Sequence, residues 1–327
     1  MVVATEHTTA GERATDPPPA RQGAGTGTSK APAPAARPGV RRSRTRAGVL
    51  LLVPFLALFT WVYVLPIGFA LYQSLFRQER SGLGLQAPER VFAGLDNYGR
   101  VLTDDAVISG VGRVLLFGVV QVPVMLGLAL LLALLLDSAV VRFAGFFKLA
   151  FFLPYAVPGV IAAILWAFLY LPSFSPLRGA LDIDFLAPGT VLWSTANVVT
   201  WSWTGYNMII IYTALQAVPR ELYEAARMDG ASPLRINLSI KIPLVRPAIV
   251  LTGLFSLIGS LQLFNEPSVI RTITTNVTST YTPAMAAYQA AFGANDYHYA
   301  AAIAVLLALT TCVLSFLFFK LTERRAR

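Results

Sequence analysis

Six stretches of this chain are apolar for long enough to cross a bilayer, and no other feature restricts the fold as severely. They run about 48–75, 110–136, 146–171, 190–217, 247–270 and 299–320. At about 1.5 Å of rise per residue, a helix over each one covers the roughly 30 Å of hydrocarbon in a membrane. Inside that layer every backbone N–H and C=O must be satisfied within the chain, which leaves helices or a closed barrel, and runs of this length fit helices. The expected fold is therefore all-α, a polytopic membrane protein with six transmembrane helices. Composition agrees, with 55 % hydrophobic residues, only 13 % charged and a mean hydropathy of +0.61. Pro54, Pro66, Pro123, Pro154 and Pro158 fall inside these stretches. Membrane helices tolerate them because neighbouring helices re-satisfy the freed backbone groups. The fourth stretch is the most polar, carrying Asn197 and Asn207.

Several chemistries are excluded. The chain has two histidines, His7 and His298, and one cysteine, Cys312. It can form no internal disulfide, and no cluster has metal-ligand spacing. No catalytic residues are expected, since a Ser-His-Asp or Cys-His site would have to use His298 without support nearby. There is no G-x-x-x-x-G-K-[ST] segment, so any nucleotide that drives the protein binds another subunit.

Residues 1–46, with "PPPARQGAGTGTSKAPAPAARPG", lack any apolar period and read as a disordered basic cytoplasmic tail, with "RRSRTR" at 41–46 as a membrane-surface anchor. The membrane domain is then 47–327. With the N-terminus inside, the tail, the loops 137–145 (with Lys148) and 218–246 and the C-terminal "KLTERRAR" hold 19 of the 26 Lys/Arg. The loops 76–109, 172–189 and 271–298 hold 6. The positive-inside rule places both termini in the cytoplasm, and the net charge of +9 is explained by topology rather than nucleic-acid binding.

Between the fourth and fifth stretches, the loop 219–243 reads as two short helices. Pro219 suits a first helical position, Gly230 after Asp229 a left-handed stop, and Ser232–Pro233 an N-cap followed by a first-turn proline. Leu234, Ile236, Leu238 and Ile240 line the second helix, and Pro243 starts the fifth membrane helix. The bland alternative is an amphipathic connector lying on lipid headgroups.

This loop resembles the cytoplasmic signature of the permease subunits of binding-protein-dependent ABC importers. That signature is E-A-A, two residues, D-G-A, eight residues, then I-x-L-P. Here it reads Glu224-Ala225-Ala226, Asp229-Gly230-Ala231, eight residues, then Ile240-Lys241-Ile242-Pro243, with Ile242 where Leu is usual. "FAGLDNY" at 92–98 is similar to the F-x-G-L-x-N-Y/F stretch of carbohydrate-uptake permeases of the maltose-transporter type. The resemblance covers roughly 48–322. It implies a coupling helix at 221–240 that docks into an ATPase subunit, with Glu224 pairing a basic residue there and Gly230 supplying the bend. It also implies a second permease as heterodimer partner, two cytoplasmic ATPase subunits carrying ATP and Mg, and an extracytoplasmic solute-binding protein. The chain itself would hold no cofactor, hydrolyse nothing, and reside in a bacterial cytoplasmic membrane.

Sugars are held by stacking on aromatic faces and by side-chain amides and carboxylates that bond hydroxyls. The fourth segment offers "WSWTGYN", with Trp201, Trp203, Tyr206 and Asn207. The fifth offers "SLQLFNEP", with Ser260, Gln262, Asn265 and Glu266, and Pro267 breaking the helix. An ionisable group in a membrane span is costly, which makes Glu266 a functional candidate. Plainer roles compete. Trp201 and Trp203 suit an aromatic belt, Asn207 and Gln262 a bond between helices, and Glu266 snorkelling or contact with the binding protein. Arg113 is read as snorkelling. The expected function is import of a di- or oligosaccharide. Its rivals are an ABC permease for a non-sugar solute, an ion-coupled secondary transporter and a membrane enzyme. The second lacks a paired set of broken helices, and the third has only Asp104–Asp105 as an acidic pair.

Overall fold

The structure, a computed structural model, describes residues 38–79, 89–138, 141–174, 176 and 182–324, with side chains from Val49 to Thr322. Most of the expected tail thus lies outside the described residues. Its end does not match expectation, because helix α1 (Pro38–Phe59) begins inside the segment read as disordered. Pro38 occupies the first helical position, where its missing N–H costs nothing. By internal contacts the chain forms two units, Met1–Leu58 and Phe59–Arg327. Of the first, the described part is the helix up to Leu58, whose apolar side chains from Leu50 onward are exposed.

The second unit opens with a π-helical turn, Thr60–Val64, and α2 (Leu65–Ser74). Pro66 cannot donate to the carbonyl one turn back, and a widened turn just before a proline relieves that clash. A two-stranded antiparallel ribbon follows, β1 (Phe76–Glu79) with β2 (Glu89–Phe92), Phe76 facing Phe92. It is a small exception to the all-α expectation. "FAGLDNY" explains it: the fully buried Asn97 donates to the carbonyls of Ser74 at 2.9 Å and Phe76 at 2.6 Å, so its amide nails the ribbon to the end of α2. Tyr98 adds a 2.6 Å bond to the Ser74 hydroxyl.

Helix α3 (Asp96–Thr103) leads into the long α4 (Asp105–Leu136). Asp104 caps α4, accepting from Ala106 and Val107 amides at 2.9 and 3.4 Å, and Tyr299 donates to its second oxygen at 2.6 Å. The Tyr299 hydroxyl, aided by both amides and by Arg100 against the opposing effect of burial, holds the Asp104 carboxyl below the usual carboxylate range. A depressed folded-state pKa stabilises above the ordinary value and is lost as pH falls through the lowered one. Asp104→Ala should therefore cost about 1–2 kcal/mol in detergent melting at pH 7. The gap from the parent should close only below about pH 4.

The third apolar stretch is not one rod. It divides into α5 (Ala144–Ala156) and α6 (Gly159–Tyr170), bent by 93°. Val157 precedes Pro158, and the proline ring drives the preceding residue out of the helical region into extended backbone. Helix α7 (Val191–Gln216) packs along α4 and α5. Two short helices, α8 (Arg220–Met228) and α9 (Pro233–Ile236), run through a π-helical turn, Asn237–Lys241, into α10 (Ile242–Leu261).

The fifth stretch breaks at 262–264 and resumes as α11 (Asn265–Ile270). Pro267 lies within α11 rather than at the break. The ring displaces the carbonyl four residues earlier, so the break falls one turn upstream. That freed Leu263 carbonyl is taken by the Thr282 hydroxyl at 2.8 Å. Helix α12 (Pro283–Tyr288), a third π-helical turn (Gln289–Gly293) and α13 (Tyr297–Arg324) complete the chain.

Among the described residues four helices are long and apolar enough to span a membrane, Val49–Ser74, Asp105–Leu136, Pro233–Ile270 and Tyr297–Thr322. The broken pair α5–α6 counts as a fifth. Helix α7 has the length, at 26 residues, but its polar side chains keep it outside that set.

Two residues read as isolated prove to be tied down. Arg113 donates to the Tyr281 carbonyl at 2.9 Å and lies over the Tyr281 ring. His298, 4 % exposed, bonds the Gln73 carbonyl through Nδ1 at 2.9 Å, which requires the proton on that nitrogen.

Candidate functional site

Helices α4, α7 and α10 pack on one another, and with α11 they enclose a cavity of about 200 Å³. Seven of the eight residues offered by the two segments line it: Trp203, Tyr206, Asn207, Ser260, Gln262, Asn265 and Glu266. The one-turn break between α10 and α11 brings the last three to the cavity, since it turns Gln262 and the first turn of α11 toward α7. Trp201 does not join them. It sits two residues from Trp203, hence on another side of the helix, and meets Trp166 edge to face at 5.9 Å.

The two aromatic rings on the cavity are backed by a third that the sequence did not single out and that does not itself line the space. Tyr155, at the bend of α5, stacks on Tyr206 at 4.6 Å and meets Trp203 edge-on at 5.1 Å. Its neighbour Pro154 was the available signal, because a broken helix presents side chains that a straight one would hide. Gln121 was also missed. It is nearly buried, and its amide nitrogen bonds Thr200 at 3.3 Å. A lone glutamine in the apolar run of α4 was the clue. Asn207 has its amide nitrogen 3.0 Å from the Trp203 carbonyl, so its oxygen remains for the cavity. Glu266 forms no ion pair among the described residues, and its Oε1 faces Gly159 at the head of α6. No Lys or Arg lines the space.

At the other end of α10, the loop 219–243 is folded nearly as expected. Pro219 caps α8 rather than opening it. Gly230 has φ +79°, and Ser232 accepts from the Arg235 amide at 3.3 Å with Pro233 in the first turn. Glu224, Ala225, Asp229, Gly230 and Pro243 are exposed, while Ala226, Ala231 and Ile240 are half-buried. The second helix is not a separate element, because α9 continues through the π-helical turn into α10 without interruption from Pro233 to Leu261. A push on the loop is therefore a push on the helix at whose far end Gln262 stands. Gly230→Val should cost about 1–2 kcal/mol of backbone strain at this positive φ. Transport should fall while Gly230→Asn keeps most of it, and equal uptake by the two variants would rule out a conformational role for the glycine.

Residues 125–327 match the profile of a family described as the binding-protein-dependent transport system inner membrane component. The chain belongs to that family. The permease is 32 % identical over 305 residues to the lactose transport system permease protein LacF of Rhizobium radiobacter, covering 88 % of this chain and 98 % of that one. It is 28 % identical over 311 residues to the diacetylchitobiose uptake system permease protein NgcF of Streptomyces coelicolor, covering 89 % and 88 %. Its fold matches a crystal structure of a bacterial ABC transporter involved in the import of the acidic polysaccharide alginate. There the TM-score is 0.73 at 18 % identity, over 88 % of this chain and 99 % of that one. The permease is thus a multi-pass membrane subunit of an ABC importer. It is a transport component rather than an enzyme, and ATP hydrolysis belongs to a separate subunit.

Proposed function

We propose that this permease forms half of the pathway for a neutral di- or oligosaccharide, with a second, similar permease supplying the other half. The cavity carries the reading: the Trp203 and Tyr206 rings, edge to face, line one space together with the amides of Asn207, Gln262 and Asn265. Its volume of about 200 Å³ is below the roughly 300–1,000 Å³ of complete ligand sites, as expected of one wall of a shared site. The lactose, diacetylchitobiose and trehalose permeases among the relatives support a sugar.

A second reading is an anionic solute, because the sn-glycerol-3-phosphate permease UgpA of Agrobacterium fabrum is 34 % identical over 204 residues. The cavity argues against it, since Glu266 faces the space and no basic side chain does.

In this proposal the chain crosses the bacterial cytoplasmic membrane six times, with α7 as the fourth crossing. The basic tail and basic C-terminus belong on one side, which demands an even number. Two ATPase subunits, holding ATP and Mg, dock on the exposed loop around Glu224, Ala225 and Ala226, with the turn Asp229-Gly230-Ala231 and the segment Ile240–Pro243 joining that surface to α10. A solute-binding protein delivers the sugar from outside. One of the structural neighbours supports this last partner, being an alginate ABC transporter in complex with an alginate pentasaccharide-bound periplasmic protein. ATP binding closes the ATPase pair, the loop moves, and the cavity changes the side to which it opens.

The test is ATP hydrolysis by the complex in proteoliposomes, with binding proteins loaded with lactose, trehalose, diacetylchitobiose or glycerol 3-phosphate. Stimulation by a sugar-loaded protein is the expected outcome. Stimulation by the phosphate alone would establish the anionic reading instead.

A further inference from the structure

The three long helices that line the cavity, α4, α7 and α10, meet again at the loop end, and there they meet on one carboxylate. Asp137 closes the C-terminus of α4. Gln216, the last residue of α7, donates to its Oδ1 at 2.6 Å. Lys241, the residue that opens α10, donates to its Oδ2 at 2.5 Å. The Lys241 and Asp137 side chains are 11 % and 9 % exposed, so this is the one buried ion pair among the described residues. Tyr223 of α8 completes the junction, its ring 5.0 Å from the Lys241 ammonium.

We propose that the Asp137–Lys241 pair is the strut through which loop movement reaches the cavity, with Gln216 and Tyr223 as its positioning residues. The proposal rests on the reading of 219–243 as the ATPase-docking loop. Displacement of α8 and α9 reaches α10 directly, and the ion pair adds a charged link at the loop end to the packing between α10, α4 and α7. Joined at Asp137, α10 takes α4 and α7 with it, so Gln121, Tyr206 and Gln262 move as one wall.

Two features suit the pair to this task. A buried charge is costly to leave unpaired, so the pair resists separation and transmits force rather than yielding to it. Lys241 also lies in the π-helical turn, a kind of helix defect that is frequent at functional sites. The Tyr223 hydroxyl is buried with no hydrogen-bond partner among the described residues. Burial and then the nearby Asp137 charge push it above the ordinary tyrosine range. An unsatisfied donor beside the strut is what a junction with two alternative arrangements leaves open in one of them.

The test needs no knowledge of the sugar. In the assembled importer, Cys312 is replaced by serine, the partner subunits' cysteines are removed, and Ser256→Cys, which lines the cavity outside the proposed sugar contacts, reports through its rate of labelling by a membrane-impermeant maleimide. Trapping the ATPases with Mg-ATP and vanadate should change that rate at least fivefold. Asp137→Asn and Lys241→Met should reduce the change to less than twofold while the ATPases still co-purify and trap nucleotide. The swapped pair Asp137→Lys with Lys241→Asp should restore at least half of it. A full fivefold response in both single variants would overturn the strut. If the single variants do not assemble, the exposed Gln216→Ala decides: a response cut at least twofold supports the strut, and an unchanged one overturns it. Failure of the Cys reporter parent to retain or respond to the ATPases would instead strike the coupling-loop reading itself.

Discussion

Gly205→Val should leave almost no folded permease in detergent. A side chain at Gly205 would fall on the backbone of α5, overlapping the Phe151 carbonyl and lying 2.9 Å from the Phe152 Cα. Neither group can move like a side chain, because both belong to a helix. In hydrocarbon, helices associate largely through such close backbone approach, and small residues permit it. Overpacking a core generally costs about 1–3 kcal/mol. Backbone against backbone sets this case at or above the upper end, about 3 kcal/mol or more. Even Gly205→Ala should lower the melting temperature measurably. Gly127→Ala, which meets open space, should not. A monodisperse Gly205→Val protein with parental melting would mean that α5 and α7 do not touch as described. Function would suffer with the fold, since Gly205 lies between Trp203 and Tyr206, and any displacement there parts both rings from Tyr155.

Glu224→Ala should leave the permease folded and cost it the ATPase. Glu224 is exposed and takes part in no ion pair among the described residues, so its charge is available to another subunit. Exposed substitutions usually shift stability within about 0.5 kcal/mol. Removing one side of a charge pair that becomes buried in a complex costs roughly 2–5 kcal/mol. That corresponds to a loss of about thirtyfold to several thousandfold in affinity. Titration of purified ATPase onto the permease in nanodiscs measures it directly. Parental affinity together with parental melting would remove Glu224 from the docking surface.

The contrast between these two positions shows what could be read in advance. The docking loop is local. Its helix stop, its cap and its exposed acidic residue depend on neighbours a few residues away, so Gly230 at φ +79° and the Ser232 cap follow from the sequence. "FAGLDNY" was informative as a pattern, but its physical work is structural, with Asn97 pinning the ribbon to α2. The role of Gly205 could not be read, because a glycine in an apolar run looks the same whether it meets lipid, as Gly127 can, or the backbone of another helix. Trp201 and Trp203 were equivalent on paper. Which of them faces a cavity depends on the rotation of α7 against α4 and α5.

Apolar length and Lys/Arg placement are summed along the chain, and every helix must satisfy its own backbone in lipid. The sequence by itself therefore determined a helical membrane protein, the exposed loop ahead of α10 and the absence of a nucleotide-binding P-loop. Distances between segments are not summed along the chain. The 93° bend of α5–α6, the gathering of Trp203, Tyr206, Asn207, Gln262, Asn265 and Glu266, and the meeting of Asp137, Gln216 and Lys241 were decided only by tertiary packing. Each of these joins groups that lie far apart in sequence, and their approach depends on which helix faces fit together.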